Sequence, residues 1–123
     1  MIDYPDAEDL LIAYLEPIVD VPVHTRVPRN RPPKWLQVRR SGGVQDVVRD
    51  RPRIDVFAWA ADDGQTHDLL KVARSAIYDL RGTTLLGLAC YEVEEFLGPT
   101  RGDDRETGTP RMWMTMQLSL RTS

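Results

Sequence analysis

A strict alternation of apolar and other side chains is the clearest pattern in this 123-residue chain, and it lies close to the carboxyl end. Successive side chains of a strand point to opposite faces of a sheet, so an alternation of this length predicts a half-buried strand. We expect its apolar face to lie against helices, in a central or near-central position of the sheet. The apolar positions are Met112, Met114, Met116, Leu118 and Leu120.

Helical spacing appears near the amino end, where apolar residues recur at intervals typical of one face of a helix. Asp6 is expected to cap this helix, because an aspartate side chain accepts hydrogen bonds from the free N–H groups of the first turn. Pro17 is expected to end it, since proline lacks an N–H donor and disfavours helical geometry at the residue before it. The apolar positions are Ala7, Leu10, Leu11, Tyr14, Leu15 and Ile18.

A second and more strongly patterned helix is predicted after residue 61. Either Asp62 or Thr66 can serve as its N-cap. Gly82 stands in the position that glycine usually takes just past a helix end. Its buried stripe is expected to consist of Leu69, Leu70, Ala73, Ala76, Ile77 and Leu80.

Between the two helices the sequence predicts a long hairpin. Trp35 to Arg40 forms one strand and Arg53 to Ala60 the other, while Gly42 and Gly43 favour a turn or bulge that begins the connection between them. The second strand is apolar on both faces, which predicts a central strand or one that a partner chain covers.

Weaker signals complete the pattern. Residues 21–27 allow an edge strand, because they contain a proline, and residues 28–33 are expected to form a stiff polar connector on the surface. A further strand is predicted within residues 85–97, and Gly98 and Pro99 are expected to close it.

Taken in order, these elements predict a single α+β domain over residues 1–123. Its sheet should be largely antiparallel or mixed, with about five strands and with the two helices packed on one face. The polar segment 98–110, which contains three glycines and two prolines, is expected to be a loop that is mobile in the isolated chain.

The chain offers no recognisable catalytic or metal site. His24 and His67 are its only histidines, and neither shows the spacing of a metal-binding or catalytic motif. The single cysteine, Cys90, lies in an apolar context typical of a buried structural thiol. The glutamates between residues 92 and 95 are expected to form a solvated strand face, so no cofactor, metal or enzymatic activity is predicted.

The hydrophobic runs are also short. The longest uninterrupted apolar runs, residues 10–15 and 56–61, have six residues, too few to cross a bilayer. The start of the chain is acidic and has no basic region before an apolar stretch, which argues against a secretory signal. We therefore expect no membrane partner.

Charge is distributed by segment. The net charge is −3, but residues 1–23 contain six acidic and no basic residues, whereas residues 24–53 contain nine basic and two acidic residues. A basic segment of this kind can bind a polyanion, can meet the acidic surface of a neighbouring copy, or can simply form part of a solvated surface. The contact candidates on or near the hairpin are Arg39, Arg40, Arg49, Arg51 and Arg53.

Five stretches, in this order along the chain, resemble the tail terminator proteins of long-tailed (siphovirus-type) bacteriophages of actinobacteria. The resemblance covers nearly the whole chain, and the motifs that carry it are structural. The stretches are Asp6 to Leu11, Pro32 to Gly43, Arg51 to Trp59, Gly98-Pro99 and Thr109 to Arg111.

The resemblance implies a structural protein that caps the growing tail tube as a ring, usually of six copies. Such a ring halts polymerisation and presents a surface to the head-tail connector protein. Its partners would be its own copies, the tail tube protein and the connector. It would lie at the neck end of the virion tail, and in the host cytoplasm during assembly. The resemblance implies no enzyme activity and no cofactor.

Within such a ring, each basic hairpin would meet either the acidic face of the next copy or the genomic DNA that passes through the lumen. The apolar faces of residues 53–60 would be covered at the contact between copies. The polar loop would become ordered only on meeting the tail tube. Its contact candidates are Arg101, Asp103, Asp104 and Arg105.

Three alternatives remain open at the level of the sequence. The first is another neck or connector protein between head and tail. The second is a small nucleic-acid-binding module that uses the same arginines, for which binding to duplex DNA should depend steeply on salt. The third is a small enzyme, although the sequence offers no group of titratable residues that could be named as its site.

Overall fold

Two helices and seven strands follow one another along residues 6–46 and 48–121, which are the residues that the computed structural model describes. Together they form one α+β domain, as predicted. The helices are α1 (Ala7–Val19) and α2 (Asp63–Tyr78), and the strands are β1 (Val23–His24), β2 (Trp35–Gly42), β3 (Arg49–Asp50), β4 (Arg53–Trp59), β5 (Thr83–Leu85), β6 (Leu88–Arg101) and β7 (Arg111–Arg121).

The strands form one mixed sheet in the order β1-β2-β4-β7-β6-β5. Only the contact between β1 and β2 is parallel. Strand β3 pairs with β7 in the register that β4 continues, so β3 and β4 lie along β7 as one interrupted strand. The strand count therefore exceeds the predicted number of about five, because β3 and β5 are short strands that carry no alternation long enough to be recognised.

The carboxyl-terminal strand confirms the strongest prediction. Strand β7 lies between β4 and β6 at the centre of the sheet. Its apolar side chains from Met114 to Leu120 are fully buried on the side where the helices pack, while Met112 is partly buried at the edge of the same core.

Helix α1 begins as predicted, with the Asp6 carboxylate accepting a hydrogen bond from the Glu8 backbone N–H at 2.8 Å. Its end was predicted wrongly, since the helix passes through Pro17 and stops at Val19. In the last turn the missing proline N–H removes only one hydrogen bond, and Asp20, at φ 56°, closes the helix by donating its N–H to a carbonyl of the preceding turn. Ile18, predicted to be buried, is largely exposed.

Helix α2 has Asp62 as its N-cap, and the Asp62 carboxylate accepts a hydrogen bond from the Gln65 N–H at 2.8 Å. Thr66, the other candidate cap, lies buried inside the helix. The predicted stripe from Leu69 to Ile77 is buried against β4 and β7. The end of the helix was predicted too late, since α2 stops at Tyr78 with Asp79 as its C-cap, so that Leu80, which is also buried, and Gly82 lie in the turn that follows. Both helices lie on the same face of the sheet, and the Tyr14 hydroxyl joins them by donating to the Ala76 carbonyl at 2.7 Å.

Strand β6 runs past the position where it was predicted to end. It continues through Gly98 and Pro99 to Arg101. Two irregularities in its pairing with β7, between Glu95 and Leu97 and between Leu97 and residue 100, absorb the proline without breaking the strand. The loop that follows is consequently shorter than predicted and spans residues 102–110.

The predicted structural cysteine is confirmed. Cys90 is buried in the core between helices and sheet, and burial raises the pKa of its thiol. Within the described part of the chain, no three metal-ligating side chains are grouped together, and no helix has the length and apolarity needed to span a membrane.

Candidate interaction surface on the helix-free face

The face of the sheet opposite the helices carries an aromatic cluster at its centre. Trp35 stacks on Trp59 with ring centroids 5.2 Å apart, and Phe57 stacks on Trp113 at 5.5 Å. Except for Trp113, these rings are buried although no helix covers them. Trp59 also donates its indole N–H to the Gln37 amide oxygen at 3.3 Å, which satisfies its one polar atom.

Arg31 of the segment 28–33 and Arg111, the first residue of β7, cover this cluster. The Arg31 guanidinium lies 5.2 Å from the Trp59 ring centroid and donates a hydrogen bond to Asp104 at 3.3 Å. Arg111 lies 5.1 Å from Phe57 and 5.2 Å from Trp59, and it donates to the Gly102 carbonyl at 2.7 Å. The chain therefore closes its own aromatic face with cations and loop backbone.

This arrangement corrects two expectations. Residues 53–60 were expected to be covered by a neighbouring copy, but Phe57 and Trp59 are already buried within the single chain. The nucleic-acid-binding alternative would also need aromatic rings that are free to stack against bases, and the burial of Trp35, Phe57 and Trp59 excludes them from that role.

The five hairpin arginines lie in different environments. Arg39 is on the helix-free face, where it pairs with the buried Asp55 at 3.0 Å and lies over the Phe57 ring. Asp55 also accepts hydrogen bonds from Ser41 and Thr115. Because Arg39 remains half exposed, it keeps contact with solvent while it fixes this polar cluster.

Arg40 has a structural role instead. Its guanidinium makes two hydrogen bonds to the buried Asp50 carboxylate, at 3.1 and 2.8 Å, and two more to the carbonyls of Gly42 and Gly43. Its backbone N–H donates to the Glu8 carboxylate of α1 at 2.9 Å. With its donors used inside the chain, Arg40 holds the hairpin loop in place and has little capacity left for a partner.

The remaining hairpin arginines form a strip with three residues that were not predicted as contact candidates, namely Tyr91, Phe96 and Arg121. Arg53 lies 4.3 Å from the Phe96 ring centroid, and Arg121 lies 5.5 Å from that of Tyr91. Burial raises the pKa of Tyr91, but hydrogen bonding and charge from Arg51, with help from Ser119 and Arg49, outweigh it, so that the net shift is downward. We call Arg49, Arg51, Arg53 and Arg121, with Tyr91 and Phe96, the basic strip.

The alternation in β7 contained the signal for part of this strip. Arg121, the last residue of β7, occupies an odd-numbered position, as do Thr115 and Gln117, so the alternation places its side chain on the helix-free face. Arg111, at the other end of β7, lies on the same face. Tyr91 and Phe96 carried no such signal, since the irregular pairing of β6 shifts its side chains between faces.

The predicted loop candidates are not grouped around one centre. Arg101 ends β6 and pairs with Asp63 at 3.1 Å and with Asp103 at 3.6 Å. Asp104 binds Thr107 and Arg31; the hydrogen bond from Thr107 is the main cause of its lowered pKa, and Arg31 adds to it. Arg105 is exposed at the tip of the loop. These contacts hold the 102–110 loop against residues 28–33 of the same chain.

Comparison with known families decides the identity of the chain. The family described as phage tail termination protein matches residues 3–123. The chain belongs to this family. It is therefore a structural component of a phage virion tail, as the resemblance implied. The search of curated proteins gave no match.

Proposed function

We propose that this tail termination protein caps the tail tube of a siphovirus-type phage of actinobacteria as a ring of six copies. The ring ends tube polymerisation and presents the surface that the head-tail connector joins. The observation that carries the proposal is the family match, which extends over residues 3–123 and so concerns the whole fold rather than a short motif.

The distribution of charge over the fold supports a ring. The helix-free face carries the basic strip, whereas Asp9, Glu16 and Asp68 are exposed on the helices and Asp79 is exposed at the C-cap of α2. Two unlike surfaces on one chain favour a head-to-tail contact between copies, and such a contact gives a closed ring when the rotation closes. Arg49, Arg51 and Arg53 are proposed to act here or toward DNA in the lumen.

The contacts with other tail proteins follow from the same proposal. The 102–110 loop, together with Arg101 of β6, is proposed to meet the tail tube protein, and the opposite end of the ring is proposed to meet the connector. The protein would then occupy the neck end of the tail and would assemble in the host cytoplasm. In this role it acts by binding, without catalysis and without a cofactor.

Tail assembly with and without this protein tests the proposal. Tubes polymerised without it should exceed the normal length, and addition of the purified protein should restore a uniform length and capacity to join heads. The loop variant Asp104→Ala should weaken termination, with Glu94→Ala, an exposed acid on β6, as its control. Tubes of normal length made in the complete absence of the protein would overturn the proposal.

The basic strip is the observation that favours the second candidate, a nucleic-acid-binding module. For that function, affinity for duplex DNA should fall steeply between low and physiological salt, by about a power of ten for each few phosphates contacted. Absence of DNA binding at low salt would remove this candidate and leave the terminator proposal intact.

A further inference from the structure

A groove opens on the helical layer between the end of α1 and the outer side of α2. Its cavity measures about 500 Å³, and Ile18 and Val72, each 45% exposed, supply its apolar surface together with Ala76. Two exposed carboxylates, Asp68 and Asp79, also line it, along with one lysine and one serine. The groove is thus an apolar site whose border carries two carboxylates and one ammonium group, a net charge of −1.

The connection between β2 and β3 offers the complementary surface. Val44 is 72% exposed and Val48 is 52% exposed, so that two aliphatic side chains stand at the surface of one short loop. Arg49 and Arg51 stand beside them. We call Val44, Val48, Arg49 and Arg51 the hairpin knob; it combines apolar side chains with positive charge, as the groove combines them with negative charge.

The knob is held in a defined shape before any partner binds. The Asp46 carboxylate accepts hydrogen bonds from the backbone N–H groups of Val48 and Arg49, at 3.0 and 2.8 Å, and these bonds lower its pKa. The Val44 carbonyl accepts from the Arg51 N–H at 2.8 Å. Gly43, at φ +100°, lies so close to the Arg51 carbonyl that a side chain would clash with it. A preformed loop loses less conformational entropy on binding.

The knob cannot reach the groove of its own chain. Glu8, at the start of α1, binds the Arg40 backbone beside the hairpin, at 2.9 Å. Ile18 lies ten residues further along the helix, a distance of roughly 15 Å at the rise of an α-helix. The two surfaces therefore occupy separate parts of the molecule, and a contact between them joins different copies head to tail.

We infer that the hairpin knob of one copy docks into the groove between α1 and α2 of the next copy. Val44 and Val48 fill the apolar part of the groove, while Arg49 and Arg51 pair with Asp68 and Asp79. The internal pair of Arg49 with Asp46, at 3.4 Å on the exposed surface, is weak enough to be exchanged for this contact. The inference rests on the proposed ring and specifies which surfaces form it.

A charge exchange tests the contact. Arg49→Glu with Arg51→Glu, and separately Asp68→Lys with Asp79→Lys, should each raise the concentration needed for ring assembly by about tenfold or more. All four changes together should return it to within about threefold of the wild type, as coupled pairs do in a double-mutant cycle. Arg26→Glu with Arg29→Glu, an equal change of charge on the exposed segment between β1 and β2, serves as the control and should have little effect.

Assembly is measured in two ways, by sedimentation of the purified full chain over a range of concentrations and by counting capped tube ends in electron micrographs. The second readout applies even where the free protein stays monomeric. Rings that form normally in both double variants would overturn the contact and leave the ring itself standing. Loss of tube binding in the groove variant, with ring assembly unchanged, would assign the groove to the tube protein and equally overturn the inference.

Discussion

The two faces of the sheet are closed by different kinds of packing. On one face, two helices cover aliphatic and methionine side chains that are completely buried, such as Met114 and Met116. On the other, stacked aromatic rings are covered by Arg31, from the extended segment between β1 and β2, and by Arg111, the first residue of β7. The first face is a conventional core, and the second is a smaller core sealed by cations.

This difference separates the residues that stabilise the fold from those that remain available to a partner. The helix-covered core depends on apolar burial, and only the outer sides of its helices remain available to a partner. The helix-free face keeps its arginines at the surface while the rings of Trp35, Phe57 and Trp59 remain buried, so that positive charge stands over a largely buried aromatic cluster.

The largest effect is expected from a charge in the helix-covered core. Met116→Asp places a carboxylate among fully buried side chains. The change should lower the free energy of unfolding by more than about 4 kcal/mol, which is enough to unfold the domain. Circular dichroism during thermal melting measures the effect. Gln117→Asp, one residue along β7 and on the other face, is the control and should melt almost normally. A normal transition for Met116→Asp would show that the core is wrongly assigned.

The smaller core is tested by Trp59→Ala. The change removes the stacking on Trp35, the hydrogen bond to Gln37 and the ring beneath Arg31 and Arg111, and should cost about 3–5 kcal/mol in the free energy of unfolding. Urea denaturation monitored by far-UV circular dichroism gives the value. A cost near zero would mean that the helix-free face is not a second core, and the contrast between the faces would fail.

The anchoring of the hairpin loop predicts an intermediate effect. Asp50→Asn weakens the two hydrogen bonds from Arg40 and should destabilise the fold by about 1–3 kcal/mol. Amide exchange within residues 43–51 should rise more than exchange in β7. An equal increase in amide exchange throughout the chain would contradict a local role for Arg40 in holding the hairpin loop. Asp46→Asn, on the exposed part of the same loop, provides the comparison.

The smallest effect concerns the link between α2 and β6. Arg74 donates two hydrogen bonds to Glu95, at 2.6 and 3.2 Å, and these lower the pKa of Glu95 against the opposing influence of burial. A lowered pKa in the folded state adds stability at neutral pH, and that stability is lost as the pH falls through the folded-state pKa. Glu95→Gln should therefore lower the free energy of unfolding by less than about 1 kcal/mol at neutral pH, and should leave it unchanged in acid. The measurement is urea denaturation of the wild type and of Glu95→Gln over a range of pH. A difference in unfolding free energy that stays the same at every pH would contradict the link between stability and the ionisation of Glu95.

The helix-covered core was predictable from the sequence because its signals are local. The alternation in β7, the stripe of α2 and the caps at Asp6 and Asp62 each depend on neighbours a few residues away. Two errors in the element boundaries involve proline, at Pro17 and Pro99, where a single lost donor was tolerated at a helix end and at a strand irregularity. Tertiary packing outweighed the local preference there.

The helix-free face was less predictable because it depends on contacts between distant segments. Arg31 meets Asp104 across 73 positions, and nothing local in either segment indicates that pair. Arg40 was taken as a surface cation, yet the buried Asp50 across the hairpin loop binds it. Tyr91 and Phe96 reached the basic strip only through the irregular pairing of β6. The family resemblance, in contrast, was carried by short motifs and could be recognised without these contacts.

The most direct test of the account is the copy number at the end of a completed tail. Cryo-electron microscopy of tails terminated by this protein should show a six-fold cap at the neck end of the tube, with a mass of about 85 kDa for six chains of 14.1 kDa each. Its density should place each hairpin beside the helices of the next copy. A single copy per tail, or tubes of uniform length with no ring at either end, would contradict the account.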